Sequence, residues 1–250
     1  MNFLSTVSPT SVPAFLLWRA RGRTSATTLR LREGLRLQFR PLSRTANDYG
    51  LAYEIFVHRF YDCPRAIDRA GVRLIVDLGC NVGFTPLYWA ANYDRAEVIA
   101  YEPHPAHVAQ CKINLKLNRG GARVGLRPVA AGPRAGRLRL SDEGTSSAAV
   151  PDTSEGFDVA VEDCLDDLAG RRIDILKIDI EGAEYEIMSD ERFARLDARR
   201  IVMEWHRLEG GRDGAWCVNR LRSLGFEVEP IFDQGSHGML WAFRSGAAAR

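Results

Sequence analysis

The run Leu74-Ile-Val-Asp-Leu-Gly-Cys-Asn-Val-Gly83, with Glu102 a short way beyond it, restricts the fold more tightly than any other part of the chain. Leu74 to Leu78 is a short apolar run carrying one acid, the pattern of a buried parallel strand. Gly79 and Gly83 allow the backbone to turn tightly and to approach a ligand closely. Phe84 to Tyr93 then reads as a helix and Val98 to Tyr101 as the next strand, with Glu102 at its end. An acid at the tip of a second strand, about 20 residues past a glycine turn, is placed to hold the two hydroxyls of an adenosine ribose. An adenosine-containing cofactor is therefore expected.

The spacing selects among such cofactors. Dinucleotide sites use G-x-G-x-x-G so that a pyrophosphate can rest on free N–H groups at the helix start. Here the pattern is Gly79-x-x-x-Gly83, with Asn81 where the middle glycine would stand. Asp77, just before the turn, would repel a pyrophosphate but could bind the ammonium of an amino-acid tail. S-adenosylmethionine has that tail, a ribose and no phosphate. Cys80 lies near the helix start, where a thiol pKa can be lowered; a small residue that fits the turn is the plainer reading.

At 250 residues the chain can bury the core of one substantial α/β domain. A net charge of +2 gives no strong field for nucleic acid or an anionic membrane. Five cysteines without a C-x-x-C pair argue against a disulfide framework or a structural zinc site, so a reducing, cytoplasmic setting is expected. No apolar run approaches the ~20 residues of a membrane span. The brief apolar stretch Val12 to Trp18 has its arginines after it, the wrong order for a secretory signal. Residues 1–24 are expected to be loosely ordered or packed on a partner.

Two alternating runs, Thr28 to Arg32 and Leu35 to Phe39, flank Glu33-Gly34 and predict a β-hairpin. Tyr49, Tyr53, Phe56, Val57 and Phe60 fall at helical spacing. From Val72 onward strands and helices alternate, as in a mostly parallel sheet with helices on both faces. Pro105 opens a helix over 106–117, ended by Gly120-Gly121. Ala122 to Ala130 reads as the third strand, and Arg137 to Leu140 and Phe157 to Val161 as short strands around a loop over 141–156. Ile173 to Ile180 and Ile201 to Trp205 are further strands. A helix follows over 215–224, and Phe226 to Phe232 pairs with Gly238 to Phe243. The organisation is an extension over 1–48 and one domain over 49–250.

Asp174-Ile-Leu-Lys-Ile-Asp-Ile-Glu-Gly-Ala-Glu184 is unusually acidic for a buried strand. Its charges approach the carboxyl end, where open α/β sheets bind ligands. Idle carboxylates near a core are costly, so Asp179 and Glu181 are candidates for chemistry. Lys177 pairing with an acid and Glu184 supporting a helix start are structural readings of their neighbours.

Four pieces in order, Val76 to Gly83, Tyr101-Glu-Pro-His-Pro, Asn114 through Asn118, and Leu176 to Glu184, resemble the FkbM family of S-adenosylmethionine-dependent methyltransferases. The resemblance covers residues 48–206. It implies the class I, Rossmann-like methyltransferase fold, a seven-stranded sheet whose last strand is antiparallel, and O-methylation of a sugar, glycolipid or natural-product hydroxyl. Cys80 departs from the alanine common at its position. Carried over by position, Asp77, Gly79, Cys80, Asn81 and Gly83 would line the methionine and ribose, and Glu102 would take the ribose hydroxyls. Pro103 and His104 would flank the adenine, with Ala130 and Ala131 closing that pocket. Asp179 and Glu181 would face the methyl group and the acceptor, and Tyr61 would either cover the cofactor or pack in the core.

A sugar-type hydroxyl is a poor nucleophile, so a general base is expected, from Asp179, Glu181 or His206. Asp179, Glu181, Glu204 and His206 are suitable hard ligands for a metal, yet no ligand spacing demands one, and none is assigned. Trp205, Trp216 and Tyr185 could stack on a sugar or pack in the core. The expected partner is a small-molecule or glycan acceptor, with no nucleic acid and no stable membrane insertion; a homodimer is allowed. Two alternatives stay open: a nicotinamide-dependent oxidoreductase on the same kind of sheet, and a non-catalytic scaffold.

Overall fold

The computed structural model describes residues 2–43, 46–141, 149–150, 156–208 and 210–244. In chain order, α1 (Val12–Ala20) precedes the hairpin β1 (Thr27–Arg30) and β2 (Arg36–Phe39), and α2 (Asp48–Tyr53) follows. Next come β3 (Leu74–Leu78), α3 (Phe84–Asn92), β4 (Glu97–Tyr101), α4 (Pro105–Lys116) and β5 (Val124–Arg127). A small sheet of β6 (Ala130–Gly132), β7 (Gly136–Leu140), β8 (Ala149–Val150) and β9 (Phe157–Asp163) comes next, ending at α5 (Cys164–Asp167). The chain returns through β10 (Arg172–Ile173), β11 (Ile175–Ile178), α6 (Glu184–Ser189), β12 (Asp197–Ala198) and β13 (Arg200–His206). It closes with α7 (Gly214–Ser223), β14 (Phe226–Asp233) and β15 (His237–Arg244).

The main sheet has seven strands in the order β14-β15-β13-β11-β3-β4-β5. Its strands run parallel except β15, which pairs antiparallel with both β13 and β14. From β3 the chain winds outward through β4 and β5, then returns to β11 on the other side of β3. That reversal opens a crevice at the carboxyl ends of β3 and β11, the place where such sheets bind ligands. Strand periodicity sorts the core: Leu74, Val76 and Leu78 join one apolar cluster with Leu176, Ile178 and Tyr185, while Ile75 and Ile175 join the other with Phe84 and Trp89. Asp77 and Lys177 continue the second series and are register partners across β3 and β11.

Four expectations change. Residues 3–18 are not loose: Phe3, Val7, Phe15 and Trp18 are buried in the same cluster as Phe39 and Phe84, because the hairpin gives them an apolar surface of this chain to cover. The helix over 49–61 is α2 followed by a π turn over Glu54–His58, stopped at Arg59 with φ +57°. The third strand splits, since β5 ends at Arg127 and Ala130–Gly132 pairs with β9 in the small sheet. Gly120-Gly121 lies in a 3-10 turn, α4 having ended at Lys116 with Leu117 as its cap. The loop over 141–156 lies mostly outside the described residues.

The Asn114 to Asn118 segment has a structural role. The Gln38 N–H donates to Asn114 Oδ1 at 2.7 Å, and Asn114 Nδ2 donates to the Val82 carbonyl at 2.9 Å. One turn on, Asn118 accepts from the Arg36 N–H at 2.8 Å and donates to the Arg36 carbonyl at 2.7 Å. Residues four apart share a helix face, so α4 presents a row of amides that pairs with β2 as a third strand would. This row ties the N-terminal hairpin to the glycine turn. Asn114→Ala strands two interior backbone groups and is expected to cost about 2–4 kcal/mol in urea unfolding. Asn118→Ala, where water can substitute, should cost less than half as much; equal losses would contradict the pairing.

Candidate active site

Lys177 is 1% exposed, and its Nζ lies 3.0 Å from Asp77 Oδ1 and 3.2 Å from Asp179 Oδ2. It also donates to the Gly79 carbonyl at 2.8 Å. One ammonium thus holds the last turn of β3, the glycine turn and the tip of β11. Burial pulls the Lys177 pKa down, but the Asp179 and Asp77 charges overcome it and hold it well above its usual value. Burial conversely raises the Asp77 carboxyl against the pull of Lys177. Asp77 is fully buried and committed to Lys177, so it supports the turn from beneath.

The turn approaches β11 as closely as backbone allows. Gly79 has φ +90°, and a Cβ there would lie 1.8 Å from the Asp179 carbonyl oxygen. Gly83 has φ +85°, and a Cβ there would meet Cys111 Sγ at 2.6 Å. Asn81, at φ +50°, donates its N–H to Glu102 Oε2 at 2.8 Å. The other Glu102 oxygen accepts from the His104 N–H at 2.8 Å and lies 3.4 Å from His107 Nδ1. Glu102 is 5% exposed and fixed from both sides. His104 caps α4, accepting from the Ala106 N–H through Nδ1 at 3.2 Å, and its ring stacks on His107 and meets Phe157 edge-on. The Cys80 thiol is buried against Cys111, and burial raises its pKa well above the usual value.

Across the crevice, Asp179, Glu181 and His206 offer ligand atoms that all lie within 4.8 Å of one another. His206 Nε2 is 3.3 Å from Glu181 Oε2 and 3.8 Å from Glu204 Oε1. Its Nδ1 lies 3.0 Å from Glu184 Oε1, on a fully buried side chain. Glu181 adopts φ +54°, a conformation few non-glycine residues take. Burial and the Asp179 charge push Glu181 up to about 7 and Glu204 up to about 8. Burial lowers the His206 pKa, but the Glu184 hydrogen bond and the Glu184, Glu181 and Asp179 charges raise it to about 9. Withdrawal from water and the Asp179 charge also push Glu54, in the π turn, up to about 7.

The structure therefore gathers the predicted residues into two groups. Asp77, Gly79, Cys80, Asn81, Gly83, Glu102 and His104 form or brace the glycine-turn half, with Pro103 partly exposed between Glu102 and His104. Asp179, Glu181 and His206 form the acidic half. Ala130 and Ala131 are buried in β6, Ala130 beside Leu140 and Val159. Tyr185 and Trp205 are core residues, and the Tyr185 hydroxyl donates to the His206 carbonyl at 2.7 Å. Tyr61 is buried, edge-on to Trp89, with its ring 5.8 Å from Lys177 Nζ. Sequence reasoning missed Glu54, because a continuous 3.6-residue period carries no sign of a π turn.

Residues 77–235 match the model of the methyltransferase FkbM domain. The chain belongs to the FkbM methyltransferase family. "Methyltransferase 1" of Beauveria bassiana (strain ARSEF 2860) is 26% identical over 204 residues, 70% of this chain and 79% of that protein. The "31-O-demethyl-FK506 methyltransferase FkbM" of Streptomyces tacrolimicus is 26% identical over 224 residues, 71% of this chain and 85% of that protein. Among solved structures, methyltransferase FkbM from Methylobacillus flagellatus KT aligns with a TM-score of 0.50 at 16% identity, over 80% of this chain and 56% of that one. This FkbM methyltransferase carries no helix long and apolar enough to cross a membrane among its described residues.

Removing one partner of a buried ion pair costs ~3–5 kcal/mol because the other charge stays behind. Lys177→Met should lose that much in denaturant unfolding, and the double variant Asp77→Leu/Lys177→Met should regain part of it. No recovery in the double variant would contradict the pairing as described.

Proposed function

We propose that the FkbM methyltransferase uses S-adenosylmethionine and transfers its methyl group to a hydroxyl of a sugar, glycolipid or natural-product acceptor. The observation that carries the reading is Glu102, an almost fully buried carboxylate at the tip of β4, fixed beside a glycine turn with no room for a Cβ. Such an acid suits a ribose diol, and the turn lacks the middle glycine that a pyrophosphate needs. The residues present fit a nucleoside without phosphates. Gly79, Asn81 and Gly83 would shape the methionine and ribose side, Pro103, His104, Ala130 and Ala131 the adenine side, and Asp179 the boundary with the acceptor. When bound, the cofactor supplies a methyl carbon already activated by a sulfonium.

The protein's own part is alignment, which can supply ~7–11 kcal/mol, and proton removal. The acceptor oxygen would bond to the methyl carbon as the sulfur–carbon bond broke, and a carboxylate of the Asp179, Glu181 and Glu204 cluster would take the hydroxyl proton. A positioned base contributes roughly 10²–10⁴ in rate. The name of the Streptomyces relative, which refers to an oxygen-linked methyl, supports a hydroxyl acceptor.

Calorimetry with S-adenosylhomocysteine tests the cofactor half. Glu102→Gln should weaken binding at least tenfold, since a charge-assisted hydrogen bond contributes ~1.5–3 kcal/mol, and thermal unfolding without ligand separates that loss from the cost of setting an amide NH2 against a backbone N–H. Unchanged affinity would remove Glu102 from the cofactor site. A thermal shift with NAD and none with S-adenosylhomocysteine would favour the oxidoreductase reading. Asp179→Asn should bind S-adenosylhomocysteine normally yet lower turnover on an accepted hydroxyl substrate by about 10²-fold or more; equal turnover would exclude Asp179 from the chemistry.

A further inference from the structure

We infer that Asp179, Glu181 and His206 bind a divalent metal ion at the acceptor side of the sheet edge. Two carboxylates and an imidazole offer ligand atoms within 4.8 Å of one another, close to the ~4.0–4.6 Å that two bonds of ~2.0–2.3 Å to one ion reach, so small side-chain movements close the site around an ion. His206 is held as metal-binding histidines are held. Its Nδ1 faces Glu184 Oε1 at 3.0 Å, and that same oxygen accepts the Ile180 N–H at 3.3 Å, so ring and tautomer are set from behind. The Nε2 is left turned toward Glu181 and Glu204.

One group outside the trio adds buried negative charge directly behind the histidine. Glu184 is fully buried, and its second oxygen, Oε2, makes no hydrogen bond. The charge count agrees. Three carboxylates, Glu181, Glu184 and Glu204, lie within 4 Å of the His206 ring nitrogens, while Lys177 is already shared between Asp77 and Asp179. An oxygen-rich set with a single imidazole suits a six-coordinate ion of the Mn²⁺ or Mg²⁺ kind better than a tetrahedral zinc site.

The consequence rests on the proposed hydroxyl acceptor. An acceptor oxygen on the ion would lose its proton more readily. That proton would go to Glu204, which is not needed as a ligand, while the oxygen–methyl bond forms and the sulfur–methyl bond breaks.

The test uses the full chain stripped of metal and titrated with Mn²⁺, following the free-ion signal by electron paramagnetic resonance. One Mn²⁺ should bind per chain. His206→Ala and Glu181→Gln should each weaken it at least tenfold, and Glu184→Gln, which touches the ion only through His206, by about 10–100-fold. Thermal unfolding of each variant separates loss of the ion from loss of the fold, and His206→Ala, at a partly exposed position, serves if Glu184→Gln does not fold. S-adenosylhomocysteine affinity is read on the same samples. Absence of Mn²⁺ binding, or equal binding by the folded variants, overturns the inference while leaving the cofactor reading intact. Mn²⁺ binding without S-adenosylhomocysteine binding upholds the metal site and overturns the cofactor reading alone.

Discussion

A single buried ammonium joins the parts of this site. Lys177 stands in register with Asp77 on the neighbouring strand, reaches forward to Asp179 and donates to the carbonyl of Gly79. Charges taken out of water are tolerated only when paired and hydrogen-bonded. The pairing therefore forces β3, the glycine turn and β11 to end at the same level. Gly79 completes the constraint, since any side chain there would strike the Asp179 carbonyl. The strand tips consequently meet as one edge with two chemical faces.

Those faces differ in kind. Around Glu102 the carboxylate is fixed by one backbone N–H on each oxygen, keeps a lone pair on each, and sits beside a turn of positive φ angles, an arrangement suited to holding a ligand still. Around His206 the acids crowd one another and compete for one imidazole, an arrangement suited to moving or replacing a proton. Lys177 and Asp179 stand at the boundary. A transfer reaction needs this division, with one substrate anchored and the other activated across a short gap.

The strands of the main sheet were legible because buried parallel strands leave short apolar runs, and Glu102 was legible because it interrupts one of them at its end. Asp179 and Glu181 stood out because charges in a buried strand demand an explanation. What stayed hidden depended on distance in the chain. Asn114 and Asn118 look like ordinary helix residues, yet they pair with a strand more than seventy residues earlier. The N-terminal aromatics gave no period, and their burial follows from the apolar surface of the hairpin that they cover. Glu54 was concealed by the π turn. The pairing of Glu184 with His206 joins α6 to β13, and nothing local in either segment announces it.

The most direct measurement is a crystal structure of the protein grown with S-adenosylhomocysteine. The account predicts the ribose hydroxyls on Glu102, the amino-acid tail over the Gly79 to Gly83 turn, and the sulfur facing the Asp179, Glu181 and His206 group. A nucleoside seated away from the carboxyl ends of β3 and β4, with Glu102 still bound only to Asn81 and His104, would contradict it.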